Sequence, residues 1–449
     1  MDRKQFIDAL FARAREAGFE ACEVCVSAAS SFETSVFKDE IVNYSVSDSF
    51  GLGFRGLIGG RMGYASTQIL DDEAVEMLVD GAKTGASLIE NDDRQFLYPG
   101  DEKYAEVDSF NPALESLTAA EKIEMARELE KKVLAQDARI AQVDGCDVIS
   151  EESETQIVNT LGLNVSRRAN VLGAMVGAVA REGEKVNTGW GYRFSFDPKK
   201  VSLDEVAAEA AGIALSGLNA ASMESGKMAV LMAPNAARDM LQTFEGVFSA
   251  ESAQKGISLL KGREGERIAA ECVTLMDDPF LSDSLASRPF DGEGVAAKAK
   301  AVVENGVLTT LLHNLKTAHK QGVASTGNAA RSYASTVGVA PSNFYFKPGA
   351  QTQEALLERM GEGLMLTDVT GLHAGANPIS GDFSLSAKGF RVRGGRKAEA
   401  VNQITVAGNF YRLLESVVAV GSDLEFGFPG GSRFGSPSLL VSELAVAGK

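Results

Sequence analysis

The sequence contains little of what would mark a secreted or membrane-spanning protein. Its four cysteines are too few for a disulfide framework in 449 residues, which fits a reducing compartment. The longest nearly apolar run, residues 169–180, is far too short to span a bilayer. The charged start, MDRKQFIDALF, lacks the apolar core of a secretory signal. We therefore expect a cytoplasmic protein that does not bind membranes.

Positive charge is also scarce. Acidic residues outnumber basic residues by 61 to 44, which gives a formal net charge of −17. Such a field repels phosphate backbones, so sequence-independent binding to nucleic acid is disfavoured. The hydrophobic fraction of 45% is ordinary for a folded protein, and a chain of 449 residues is too long for one compact core.

Histidine, a common metal ligand, occurs only three times, at His313, His319 and His373. These histidines form no HExxH motif. They could in principle meet a further ligand such as Asp382, but we expect each histidine to be a turn or surface residue. The histidines alone therefore indicate no metal site.

The short motifs of common catalytic sites are missing as well, since the chain has no GxSxG elbow and no Walker P-loop. Cys22 and Cys25 have metal-ligand spacing, but on a predicted strand they point to opposite faces, so we interpret them as core residues. The GLGFRG run at 51–56 matches the dinucleotide-binding pattern, yet we expect a hairpin to follow it. The Asp-Asp-Pro run at 277–279 is predicted to form a turn.

The hydrophobic pattern predicts an α+β fold, in which two similar helix-strands-helix units precede a larger strand-rich mixed α/β region. We place the three domains at 1–98, 112–222 and 227–449, with a polar linker from about residue 91 to residue 118. The helix starts are predicted at Asp71-Asp72, at a Thr118/Glu121 capping box and at Ser202. The strands of the first unit are predicted at 20–27, 33–38, 41–46, 52–58 and 61–67, and the third domain is predicted to hold a helix at 236–248.

The stretch from Gly371 to Val392 is rich in turn-forming residues. Asn377 and the following proline start a turn, Asp382 can bind local amides, and a buried strand follows that we expect to break at Gly389. A tight loop of this kind suits the lining of a cleft, although a rigid connector explains it equally well.

Several motifs follow one another in the last third of the chain, namely Gly306–His313, Lys316–Ala318, Thr326–Arg331, Pro378–Ser384, Val406–Asn409 and Val418–Leu424. In this order they strongly resemble the motifs of the TldD/PmbA family, which is linked with proteolysis and was first described as a modulator of DNA gyrase. The GLGFRGLIGGRMGYAST run at 51–67 is similar to the family's pattern as well.

The resemblance implies one of two kinds of subunit. The TldD kind is a metallopeptidase, in which two histidines of an HExxxH helix and a cysteine near the carboxy terminus bind the metal and the glutamate is the base. In this chain the segment that corresponds to the HExxxH helix is residues 241–246, counted back from Lys255-Gly256. It carries Leu241, Gln242 and Gly246 in place of the two histidines and the glutamate, and no cysteine follows Gly421. The resemblance therefore implies the PmbA (TldE) kind, with no catalytic residue, metal or cofactor on this chain.

A chain of the PmbA kind is expected to pair with a TldD-like catalytic subunit in a heterodimer that cleaves unfolded peptides or small proteins. We expect Asn328, Arg331, Asn377 and Asp382 to lie near the peptide cavity. Two alternatives remain. One is a homodimeric peptide-binding protein that works without a catalytic partner, and the other is a DNA gyrase modulator that acts directly on nucleic acid, which the charge of −17 disfavours.

Overall fold

The structure, a computed structural model, describes residues 1–89 and 94–449. It confirms an α+β fold with two helix-strands-helix units ahead of a strand-rich region. The first unit contains α1 (Arg3–Glu16), β1 (Ala21–Phe37), β2 (Glu40–Ile58), β3 (Arg61–Thr67) and α2 (Asp72–Ser87). The second unit contains α3 (Ala119–Leu134), β4 (Ile140–Asn159), β5 (Asn164–Glu182), β6 (Lys185–Ser195) and α4 (Leu203–Ser216).

Side-chain caps fix the helix starts that the sequence predicts. The Asp71 carboxylate accepts a hydrogen bond from the Ala74 amide at 2.8 Å at the start of α2. Thr118 and Glu121 form a reciprocal capping box before α3, with N–H···O distances of 2.8 and 3.2 Å. Ser202 caps α4. These bonds satisfy amides that have no partner within the helix.

The two units share one antiparallel sheet with the order β3-β2-β1-β4-β5-β6. Its central pair joins β1 to β4, from Glu23 opposite Asn159 to Ser35 opposite Asp147. The helices of each unit lie side by side, α1 beside α2 and α3 beside α4. Each unit therefore contributes one half of a continuous sheet and a helix pair that buries part of it.

The predicted short strands of the first unit are wrong in extent. The segments at 20–27 and 33–38 both belong to β1, and those at 41–46 and 52–58 both belong to β2. In the second unit the sequence pattern predicts separate strands at 138–150 and 154–160, and both belong to β4. Because β1 is paired on both sides, ladder hydrogen bonds hold the small residues 28–31 in the strand, although their side chains show no apolar alternation.

The predicted linker begins at residue 91, which lies outside the described residues. From 94 to 111 the chain has neither helix nor strand, and a short 3-10 turn follows at Pro112–Ser116. The segment is nevertheless tied down, because the Tyr104 hydroxyl donates to the Gly294 carbonyl at 2.8 Å. The buried Ser109 donates to the Arg168 carbonyl on β5 at 2.8 Å.

The third region begins with β7 (Gly226–Met232), α5 (Pro234–Thr243) and α6 (Ala250–Gln254). The elements in its middle are β8 (Leu275–Asp277), β9 (Lys300–Glu304), β10 (Val307–Leu308), α7 (Leu315–Gln321), β11 (Ala329–Ala330), β12 (Gly338–Val339), β13 (Asn343–Phe346) and α8 (Gln353–Met360). Those at its end are β14 (Gly363–Thr370), α9 (Leu372–Gly375), β15 (Asp382–Arg393), β16 (Arg396–Asn409), α10 (Phe410–Glu415), β17 (Val417–Val420), β18 (Glu425–Phe426), β19 (Arg433–Ser436) and β20 (Leu439–Ala447).

Two sheets and the helices between them enclose the largest core of this region. The sheets have the orders β16-β15-β14-β7-β20-β17 and β10-β9-β8-β13-β19-β18. Phe244 and Phe410 stack inside the core with ring centroids 4.5 Å apart. No helix among residues 1–89 and 94–449 is long and apolar enough to cross a membrane.

Two predictions for this region are wrong in detail. The helix predicted at 236–248 ends at Thr243, because Phe244 leaves the helical conformation and a 3-10 turn follows. The strand predicted to break at Gly389 continues as β15 with bulges around that residue. A Cβ at Gly389 would lie 1.9 Å from the Met365 carbonyl oxygen, so glycine permits close approach of two strands there.

Candidate functional site

The segment predicted to replace a metal-binding helix straddles the end of α5. Leu241 is fully buried in the core, Gln242 is exposed, and Gly246 lies in the 3-10 turn Glu245–Phe248 with open space where a Cβ would be. Because α5 ends at Thr243, no continuous helix runs from Leu241 to Gly246. Leu241 therefore lies in the last turn of α5, and Gly246 lies in the 3-10 turn that follows.

Gln242 faces an open cleft of about 540 Å³, which Asp239, Leu372, His373 and Pro378 also line. The Asp239 carboxylate is paired with the guanidinium of Arg238 at 2.8 Å. The prediction that His373 lies at the surface is correct.

Metal binding requires several histidine, cysteine or carboxylate ligands around one point. No group of three or more such residues with that arrangement occurs in the described ranges 1–89 and 94–449. At the end of α5, Leu241 offers an aliphatic group and Gln242 offers an amide, while Gly246 has no side chain. This donor set does not fit a catalytic divalent metal.

Glu245 is the carboxylate nearest in sequence to Leu241, Gln242 and Gly246, the residues that replace the metal-site residues of the TldD kind. It opens the 3-10 turn, and burial raises its pKa to about 7. No other described residue forms a hydrogen bond or ion pair with its side chain. A large part of the Glu245 population is therefore protonated near neutral pH.

Asn377 and Asp382 shape the loop before β15. The Asn377 side-chain oxygen accepts hydrogen bonds from the amides of Ile379 and Ser380 at 3.0 and 3.2 Å. Asp382 accepts from the Asn409 amide at 2.9 Å, and the hydrogen bonds from Asn409 and Ser380 hold its pKa below the usual range. Both residues are exposed, and the neighbouring Pro378 places this loop beside the Gln242 cleft.

Asn328 lies in a different environment, where it is fully buried beside Asp277. Its side-chain amide donates to Asp277 at 2.7 Å, and the ammonium of Lys300 pairs with the same carboxylate at 2.7 Å. Although burial opposes ionisation, Lys300 and the hydrogen bonds hold the pKa of Asp277 below its usual range. The turn predicted at 277–279 is present in part. Asp278 accepts a hydrogen bond from the Phe280 amide at 3.0 Å where the chain turns at 279–280, whereas Asp277 ends β8 as a buried, paired carboxylate.

Arg331 belongs to a buried ion cluster formed by Glu23, Arg55, Glu293 and Arg331. Glu23 on β1 accepts from Arg55 on β2 at 2.8 Å and from Arg331 at 2.6 Å, and Arg55 reaches Glu293 at 3.2 Å. Burial disfavours the Glu23 carboxylate, yet the two guanidiniums hold its pKa below the usual range. Since Glu293 and Arg331 come from the third region, the cluster joins that region to the N-terminal sheet.

The structure thus brings the predicted peptide-cavity residues to two separate places. Arg331 lines clefts at the seam between the N-terminal sheet and the third region, whereas the Asn377 loop adjoins the Gln242 cleft. Among residues 1–89 and 94–449, none lines both the Gln242 cleft and one of the clefts between the N-terminal sheet and the third region. The sequence prediction missed Glu23, Arg55 and Glu293, although a charged residue inside the apolar strand around Arg55 is itself a signal of a buried partner.

The remaining candidates are mainly structural. His313 is buried, contrary to the prediction, with its Nδ1 3.2 Å from the Thr317 hydroxyl, and burial lowers its pKa. His319 is exposed and packs edge-on against Phe96. Cys22 and Cys25 are buried and unpaired on β1, as predicted.

The GLGFRG run lies within β2, which turns into β3, so no helix follows it to form a dinucleotide site.

In comparisons with known proteins, three consecutive parts of the chain match one protein family. Models of the PmbA/TldA metallopeptidases match in three consecutive parts, domain 1 over residues 22–86, the central domain over 112–218 and the C-terminal domain over 225–448. The metalloprotease PmbA homolog of Haemophilus influenzae is 29% identical over 97% of this chain and 94% of its own length.

Two solved structures share the fold. A proposed modulator of a DNA gyrase from Thermotoga maritima superposes with a TM-score of 0.90 at 34% identity, covering 99% of this chain and 100% of that one. TldE from Thermococcus kodakarensis gives a TM-score of 0.89 at 23% identity, with the same two coverages, and this likeness concerns the fold alone.

Proposed function

The chain belongs to the PmbA/TldA metallopeptidase family, and from this premise we propose that it is the metal-free subunit of a peptidase complex. In this proposal a TldD-like partner carries the metal and hydrolyses the peptide bond. The present chain, located in the cytoplasm, completes the cavity that holds unfolded peptides or small proteins.

The observation that carries the proposal is the chemistry at the end of α5. Leu241 is buried among apolar side chains, Gln242 offers a neutral amide, and Gly246 has no side chain. None of these positions supplies an imidazole, thiolate or carboxylate, which are the groups that bind zinc in peptidases.

A peptide would bind this chain most simply by adding a strand to an exposed sheet edge, where main-chain hydrogen bonds give affinity with little sequence preference. One such edge is available in the part of the chain that the structure describes. Residues 40–50 of β2 pair with β1 on one side, while β3 covers only 52–58 on the other side. Such an edge is a suitable docking site for an extended chain.

The test is to purify this chain alone and together with a TldD-like subunit. Metal content is measured by elemental mass spectrometry, and cleavage is followed on a casein-type unfolded protein with and without chelator. We expect far less than one metal ion per isolated chain, no cleavage by it, and chelator-sensitive cleavage by the mixture. Chelator-sensitive cleavage at full rate by the isolated chain would overturn the proposal.

The native assembly separates this proposal from a homodimeric peptide-binding protein. Under the proposal, a second chain of different mass co-elutes with this one from cell extract, whereas a homodimer contains this chain alone. The gyrase description of the Thermotoga maritima relative is not carried over to this chain, because a net charge of −17 opposes contact with DNA phosphates.

A further inference from the structure

A second cleft, of about 410 Å³, lies at the seam between the N-terminal sheet and the third region. Ile157 on β4 and Arg167 on β5 line one side of it, and Arg288, Phe290 and Asp291 line the other. The site combines three guanidiniums with apolar side chains. Arg331 is paired with Glu23, whereas Arg167 and Arg288 form no ion pair in the described ranges. In a chain with a net charge of −17, such a concentration of positive charge requires an explanation.

The two arginines are held in place without any carboxylate. Arg167 donates to the main-chain carbonyls of Ser287 and Leu285 at 2.7 and 3.1 Å. Arg288 donates to the carbonyls of Gly431 and Pro341, both at 3.1 Å. These bonds orient the guanidiniums. Burial lowers the pKa of Arg288, and the carboxylates of Asp277 and Asp291 oppose this lowering only through space, without an ion pair.

No ion pair to Arg167 or Arg288 exists within residues 1–89 and 94–449. The Nε atom of Arg288 is buried and has no hydrogen-bond partner in the same part of the chain. Burial and the neighbouring charge of Arg288 lower the pKa of Arg167 to about 10. Two cations that repel each other thus line one partly buried cleft, where an anion would relieve both desolvation and repulsion.

The acidic residue in the lining does not supply that anion. Asp291 uses one carboxylate oxygen for the amides of Glu293 and Val295 and the other for the amide of Ala329. Burial and the charge of Glu293 raise the pKa of Asp291, and no ion pair joins Asp291 to Arg167 or Arg288 in the described ranges. The arrangement contrasts with the buried ion cluster, in which each arginine meets a glutamate at 2.6–3.2 Å.

We propose that this cleft binds the C-terminal carboxylate of a peptide between Arg167 and Arg288, with the last side chain of the peptide against Ile157 and Phe290. The identification of a peptide as the ligand rests on the function proposed above. A planar guanidinium fork matches a carboxylate, and the adjoining apolar wall suits the side chain next to it.

Binding of two short peptides to the isolated full-length chain tests the proposal by calorimetry. One is an N-acetylated alanine peptide that ends in phenylalanine with a free carboxylate, and the other is the same peptide as its C-terminal amide. We expect the free acid to bind about tenfold or more tightly, because charge-assisted hydrogen bonds are lost on amidation. Equal affinity of the two peptides contradicts the proposal, and this comparison requires no variant.

Substitutions of the two arginines test whether the preference for the free acid arises in this cleft. Arg288→Met and Arg167→Met should each abolish most of the preference for the acid. Arg181→Met is the matched control, since Arg181 also lies on β5 but is exposed and forms no ion pair in the described ranges. We expect this control to keep the full preference. A preference that survives in both cleft variants, with folding verified by thermal unfolding, contradicts the proposal.

Two further ligands distinguish other sources of negative charge. An amidated peptide with an internal glutamate that binds as well as the free acid would assign the cleft to acidic side chains instead. Inorganic phosphate that displaces the free acid at lower concentration than acetate does would assign it to phosphate. Either result overturns the assignment to a peptide C-terminus.

The proposed subunit function and the proposed carboxylate site can fail separately. If the isolated chain itself hydrolyses peptides with a bound metal but still prefers the free acid, the function proposed above fails and the carboxylate site stands. If cleavage requires a TldD-like partner but the acid and amide bind equally, the subunit role stands and the carboxylate site fails.

Discussion

Replacing Glu245 by glutamine tests how the turn after α5 tolerates a buried carboxyl group. The Glu245 side chain forms no hydrogen bond or ion pair with any other described residue, and burial raises its pKa from 4.5 to about 7. The glutamine has almost the same shape but cannot ionise. The substitution therefore isolates the free energy of placing a negative charge at this position.

The sign of the effect follows from the proton affinity of the two states. The folded chain binds the Glu245 proton more tightly than the unfolded chain does, so the stability contributed by this group is complete below about pH 4.5 and is lost as the pH rises through about 7. The full shift corresponds to about 3 kcal/mol, and about 2 kcal/mol is a reasonable expectation for a side chain that is not completely buried.

Thermal unfolding of both proteins between about pH 4 and pH 8 measures this difference. We expect equal midpoints at the acidic end and a more stable Glu245→Gln variant near pH 8. Glu76→Gln is a control of opposite sign, because the hydrogen bond from Arg13 lowers the pKa of Glu76 and the variant should lose stability at the higher pH. Parallel profiles for wild type and Glu245→Gln across this range would refute the reasoning.

Three other predictions concern burial. Arg55→Met leaves two glutamates of the buried ion cluster without this partner and should cost about 3–5 kcal/mol, measured as a lowered midpoint of urea unfolding. Gly53→Ala should destabilise the chain by about 1–3 kcal/mol or more, because a Cβ there would lie 2.0 Å from a backbone oxygen of the third region, whereas Gly212→Ala in α4 meets open space and should be tolerated. Cys22, whose pKa burial raises to about 12, should react with a disulfide reagent only after unfolding, while the exposed Cys272 should react in the folded chain, as peptide mass spectrometry can show.

Local signals in the sequence were sufficient for the helix starts. The caps at Asp71, Thr118 and Ser202 depend on residues three positions apart, and the structure contains all three. The lengths of β1 and β2 could not be predicted in the same way. Their polar middle sections are held by pairing with neighbouring strands, and no local pattern records that pairing.

The same distinction between local and long-range signals applies to the candidate site. The residues at the end of α5 are close together in the sequence, and the chemistry of Leu241, Gln242 and Gly246 alone identifies them as poor metal ligands. The buried ion cluster could not be identified in this way, because Glu23 and Arg331 are separated by 308 positions. Only folding brings such residues together, and their local sequence surroundings are those of ordinary strand and loop residues.

The pairing of β1 with β4 has a consequence for how the molecule can be divided. A cut between residues 94 and 111 would separate two polypeptides that still share a complete hydrogen-bonded ladder, and we expect them to remain associated without a covalent link. Fragments made this way should complement each other when they are coexpressed, as in a split reporter. Either fragment alone would expose an unpaired edge strand that is prone to aggregation.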